Sequence, residues 1–172
     1  MKKLDVRKLV LNALLLAIGL VLHQIEPAIF GVKPDMMLIM LFVVLLLNKK
    51  DFKTSISCGV IAGLFAAMTT AFPGGQIPNI IDKVLTTIIC YFMIKLLEEK
   101  VNDTVLTALV IVIGTTVSGF IFLFTAQLLV GLPGGMTLTA LFVAVVVPAI
   151  IINVVLGIIT AKVSNKVIGG EI

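Results

Sequence analysis

The chain has 172 residues, of which 60% are hydrophobic and only 13% charged. Soluble domains carry about 25% charged residues, so this composition excludes an ordinary soluble domain and implies an integral membrane protein. The net charge of +4 does not signal nucleic acid either, because the basic residues fall in short clusters between apolar segments, as membrane topology requires.

Lys2, Lys3, Arg7 and Lys8 precede the first apolar segment (9–22), but no small-residue cleavage site follows them, and Ala13, Ala17 and Gly19 lie inside the run. The segment is therefore read as a retained helix. At 100° per residue it shows two stripes: Asn12, Gly19, His23 and Glu26 on one face, and Ala13, Ala17, Leu20 and Gln24 roughly 100° away. The polar stripe suits a bundle interior or a ligand. The Ala13-x-x-x-Ala17 pair suits close approach by another helix, either of this chain or of a partner.

The second segment (36–47) is short: twelve residues rise only ~18 Å, so it is either a span or a re-entrant piece. Four further segments follow, at 56–72, 80–97, 105–130 and 138–163. Charge decides the count. If every segment crosses, Lys49, Lys50, Lys53, Lys95, Lys100, Lys162 and Lys166 join the four N-terminal basic residues on one side. Only Lys33 and Lys83, of 13 basic residues, then remain outside. The expected fold is thus a single all-α domain over residues 1–172 with both termini in the cytoplasm. Its six spans fall at about 9–30, 35–48, 54–72, 79–98, 104–130 and 137–165.

Small residues at fourfold spacing mark close helix contacts: Gly59, Gly63 and Ala67; Gly114 and Ser118, with Thr115 and Gly119; and Ala149, Asn153, Gly157 and Ala161. Pro148 is expected to kink the last span. Cys58 and Cys90 sit in apolar segments with no C-x-x-C pattern and read as small buried hydrophobes. A single histidine and the absence of a G-x-x-x-x-G-K-[ST] loop weigh against a histidine-rich metal site and against ATP binding by this chain. No serine is spaced to pair with His23 as a nucleophile, so catalysis is not expected and no cofactor is implied.

The stretch 72–83, Phe-Pro-Gly-Gly-Gln-Ile-Pro-Asn-Ile-Ile-Asp-Lys, is the focus of the outer side. Pro73, Gly74 and Gly75 stop one helix, and Pro78 and Asn79 suit the start of the next. Asn79, Asp82, Lys83, Thr86 and Cys90 then draw a polar stripe down an apolar helix. Lys83 is the informative member, because the helix dipole opposes a lysine in the first turns and the side chain needs a partner. The candidate binding residues of the outer half are His23, Glu26, Asp35, Gln76, Asn79, Asp82, Lys83 and Gln127. Carboxylates, a cation and amides together match a zwitterionic amino acid, and Phe30, Phe72, Phe120, Phe122, Phe124 and Phe142 are available as aromatic walls. The structural alternative is that Asp82 and Lys83 pin loops through Lys33 and Glu26, and that Asp35 only caps a helix.

Residues 33–37 (Lys-Pro-Asp-Met-Met), 69–79 with 81–83, 131–135 (Gly-Leu-Pro-Gly-Gly) and 147–149 with Asn153 give the chain its resemblance. Over essentially its whole length it resembles the bacterial tryptophan transporter family TrpP, which is similar to the substrate-binding S components of energy-coupling factor (ECF) importers. The resemblance implies a six-helix S component in the bacterial cell membrane that binds L-tryptophan near the outer surface. It also implies docking on a transmembrane coupling protein that carries two cytoplasmic ATPases, with Ala13 and Ala17 matching the small-residue docking pattern. A self-sufficient proton-coupled transporter, and an S component for another aromatic compound or vitamin, are the alternatives.

Overall fold

The computed structural model describes residues 6–26 and 33–168. Lys2, Lys3 and Phe30, and the last part of the expected first span, lie outside the described residues. The described chain is helical and contains no strand: α1 (Val6–Ile25), α2 (Met36–Leu47), α3 (Phe52–Thr69), α4 (Gln76–Leu97) and α5 (Asp103–Leu129) come first. A short 3₁₀ turn (Pro133–Gly135) leads to α6 (Leu138–Leu141), which runs through a π-helical turn (Phe142–Val146) into α7 (Val147–Ile168).

Four stretches are long and apolar enough to cross a membrane: Val6–Ile25, Phe52–Thr69, Asp103–Leu129 and Leu138–Lys166. The other two expected spans are also helices, but each departs from a simple span. α4 has 22 residues and carries Asp82, Lys83 and Lys95, while α2 has only 12. Starts are capped where the residue type allows it. Asp35 accepts from the Leu38 amide at 2.8 Å, Asp51 from Thr54 at 3.2 Å and Asn102 from Val105 at 2.9 Å.

The short α2 is the central post of the bundle. Every residue after Met36 is buried, and α1, α3, α4, α5 and α7 all pack against it. A helix that is apolar on all sides needs such an environment, because no face of it tolerates water. The helices around it approach closely at small residues. A methyl group at Gly59 would collide with the Thr87 side chain, and one at Gly63 would stand 3.1 Å from the Ile80 backbone. Gly157 meets Ile111 in the same way.

Pro148 has the effect its chemistry predicts. Without an amide hydrogen it cannot bond the carbonyl one turn back, and the helix responds with a π turn over Phe142–Val146 just before it. Cys58 and Cys90 are both buried. At the C-terminal end of α2 the bundle closes on neutral polar groups. Asn48 Nδ2 donates to Asn12 Oδ1 at 3.0 Å and to the Val44 carbonyl at 2.7 Å, and Ser55 Oγ donates to the Asn48 carbonyl at 3.3 Å.

Candidate ligand-binding cavity

Because α2 begins only at Met36, none of the described helices continues its line beyond that point. In that space lies a cavity of about 490 Å³, floored by Pro34, Asp35 and Leu38. This is within the range of small-molecule sites, roughly 300–1,000 Å³. Its walls come from α1, the end of α3 and the loop after it, α4, α5, the 3₁₀ turn and the π turn with α7.

Lys83 and Asp82 are the fully buried charged groups of the cavity. The ion pairs centre on Lys83. Its Nζ donates to Asp35 Oδ2 at 2.7 Å and to Asp82 Oδ2 at 2.6 Å, and only 1% of its side chain is exposed. The partner that a lysine in this position requires is therefore a pair of carboxylates, one from its own helix and one from the tip of α2. Thr86 Oγ1 donates to Asp82 Oδ1 at 2.9 Å, so Asp82 is fully engaged from the protein side. Asp35 is less enclosed, with 27% of its side chain exposed to the cavity. Its backbone amide donates to Asn153 Oδ1 at 3.3 Å, and Asn153 Nδ2 in turn donates to Thr115 Oγ1 at 3.3 Å. The tip of α2 is thereby tied to α7 and α5.

On the opposite wall, His23 Nδ1 lies 2.7 Å from Thr69 Oγ1. Its Nε2 lies 4.0 Å from Glu26 Oε1 and 3.9 Å from Asp35 Oδ1. Glu26, just beyond α1, accepts from the Met36 amide at 3.3 Å. The apolar part of the wall includes Phe72 and Phe122, packed edge to face with ring centroids 5.2 Å apart.

Six of the eight expected binding residues, His23, Glu26, Asp35, Asn79, Asp82 and Lys83, meet in this one cavity. Gln76 and Gln127 do not line it and are exposed. Gln127 follows the cavity residue Ser118 by nine positions, or 180° of helix, which turns it to the opposite face of α5. Gln76 is the first residue of α4, one turn beyond the packed stripe that starts at Asn79. Among the expected aromatic walls, Phe120 and Phe124 stack on each other with half-exposed rings on the outer surface instead.

Thr69, Thr115, Ser118 and Asn153 are cavity residues that the sequence reading did not single out for binding. Thr115, Ser118 and Asn153 were expected as helix contacts, and their hydroxyl or amide groups were the available signal. Lys33 lines the mouth and is exposed. Ala13 and Ala17 both face outward on α1, uncovered by the rest of the described chain.

Membrane-length apolar helices packed round a cavity of mixed charge that opens at a mouth, with an aromatic wall, define a multi-pass membrane protein of the solute-transport class. The profile of the family described as Tryptophan transporter TrpP matches residues 5–169, and the chain belongs to that family. It is similar to a probable tryptophan transport protein of Clostridium acetobutylicum, 48% identical over 158 residues that cover 91% of each chain. It is likewise similar to proteins of the same description from Clostridium perfringens and Bacillus subtilis. The first is 41% identical, covering 94% of this chain and 93% of the relative; the second is 47% identical, covering 87% and 85%. No solved structure matches the chain.

Proposed function

We propose that this chain is the substrate-capture subunit of an ATP-driven tryptophan importer, an S component of the energy-coupling factor type. In this reading it crosses the bacterial plasma membrane six times, with both termini in the cytoplasm and the cavity at the outer face. The observation that carries the reading is the cavity itself, where charges of both signs lie beside an aromatic pair at the tip of a buried helix. A zwitterion with a flat side chain needs a carboxylate, a cation and an apolar wall together. His23, Glu26, Asp35, Asn79, Asp82 and Lys83 form the proposed site. Lys83 acts mainly by fixing Asp35 and Asp82, and Lys33 at the mouth is the cation available to the ligand carboxylate.

The names of the relatives support tryptophan as the substrate. The sequence has no nucleotide-binding loop, so energy from ATP has to come from partner subunits. The outward-facing Ala13 and Ala17 on α1 are the proposed contact with a transmembrane coupling protein that carries two ATPases.

Purified protein alone is expected to bind L-tryptophan and to gain ~2.7 kcal/mol of stability at a ligand concentration a hundred times Kd, read as a melting shift. No shift with tryptophan or any other amino acid or vitamin would remove the capture role. A second reading, a self-sufficient proton-coupled transporter, draws on the titratable cluster of His23, Glu26 and Asp35 in the cavity. Liposomes holding only this chain decide between the two. Tryptophan uptake driven by a pH gradient favours the second, and uptake only after coupling protein, ATPases and ATP are added favours the first.

A further inference from the structure

The hydrogen bonding of His23 fixes which of its nitrogens faces the cavity carboxyls. Thr69 Oγ1 carries one hydrogen and donates it to the Phe65 carbonyl at 2.8 Å. His23 Nδ1, 2.7 Å from the same oxygen, is therefore the donor in their bond. In the neutral ring Nε2 is then a bare acceptor, 4.0 Å from Glu26 Oε1 and 3.9 Å from Asp35 Oδ1. Both separations are too long for Nε2 to hydrogen-bond with either carboxyl, so a gap is left beside Nε2 with a carboxylate oxygen on each of two sides.

Such a gap matches one kind of ligand group. A primary ammonium has three donors at tetrahedral angles, and acceptors about 2.8 Å from its nitrogen lie roughly 4.6 Å from one another. The observed spacing is only slightly tighter. Asp35 Oδ1 already accepts from the Leu38 amide at 2.8 Å and keeps a second acceptor direction free. Neither cation of the cavity fills the gap. Lys83 is held by Asp82 Oδ2 and by the other oxygen of Asp35, and Lys33 makes no ion pair among the described residues.

We propose that His23 Nε2, Glu26 Oε1 and Asp35 Oδ1 form a cradle for the primary ammonium group of the ligand, so that the cavity selects aromatic amines and amino acids over the corresponding amine-free acids. The inference rests on the proposed capture role and assigns one end of the ligand to one wall. Lys83 takes no direct part in holding the ammonium.

The test compares L-tryptophan with indole-3-propionate, which has the same skeleton without the amine, in competition binding to the purified full chain. Wild type is expected to prefer tryptophan by about tenfold or more. His23→Ala and the shape-preserving Glu26→Gln should each reduce that preference about tenfold, by weakening tryptophan while leaving indole-3-propionate unchanged. A preference unchanged in both variants overturns the cradle and leaves the capture role standing. A wild type that binds neither compound overturns both. Because His23 is the single histidine, its ¹⁵N shifts give an independent readout. A protonated Nδ1, with an Nε2 signal that moves on adding tryptophan and not indole-3-propionate, supports the cradle; a bare Nδ1 overturns it.

Discussion

The two ends of α2 are joined by uninterrupted apolar helix and have opposite chemistry. At its start, Asp35 meets Lys83 and Asp82, keeps 27% of its side chain exposed and looks into a cavity with His23 and Glu26. At its far end Asn48, only 6% exposed, is bonded to Asn12 and Ser55, and no charge takes part. One end is ionic and open to a cavity; the buried contacts of the other are neutral, and its one ion pair, Lys49 with Asp103 at 3.0 Å, lies on the exposed side. The difference separates two uses of buried polarity. Amides bonded to each other tie helices together, whereas a paired carboxylate that stays partly exposed to a cavity keeps acceptor capacity for something else.

Replacing Lys83 breaks the comparison most severely. Lys83→Met leaves the buried Asp82 and the partly exposed Asp35 without a counter-ion, and should cost about 3–5 kcal/mol, seen as a large fall in melting temperature in detergent. At the far end, Asn48→Ala removes the partner of Asn12, whose Nδ2 already lacks one among the described residues. A loss of about 1–3 kcal/mol is expected, with ligand affinity unchanged. A marked change in affinity would mean that the two ends are coupled and not separate. Gly59→Ala, which forces α3 and α4 apart at Thr87, should cost a similar 1–3 kcal/mol, roughly the effect of overpacking.

Helical periodicity carried most of this arrangement in advance. On α4 the stripe of Asn79, Asp82, Lys83, Thr86 and Cys90 is buried throughout, as the 3.6-residue repeat implies. On α1 the two stripes separate as expected, with Asn12, Gly19 and Glu26 buried and Ala13, Ala17 and Gln24 exposed. Depth along an axis and rotation of one helix against another are not written in a repeat. For that reason Gln127 was grouped with the outer polar residues although it faces away, and Thr115, Ser118 and Asn153 read as contacts although they reach the cavity. The pairing of Lys83 was foreseeable as a need; that Asp35, 48 positions away in sequence, would share in meeting it follows only from packing.

The brevity of α2 has a consequence for how the protein would look to a membrane once loaded. In the proposed six-span reading, its 12 residues rise ~18 Å against an oily layer ~30 Å deep, and the cavity lies at the end where the helix falls short. A flat aromatic passenger resting above Leu38 would supply the missing length, its ring continuing the column that the leucines and valines of the helix begin. In that reading the cargo would be, until its release, a temporary part of the protein's own core.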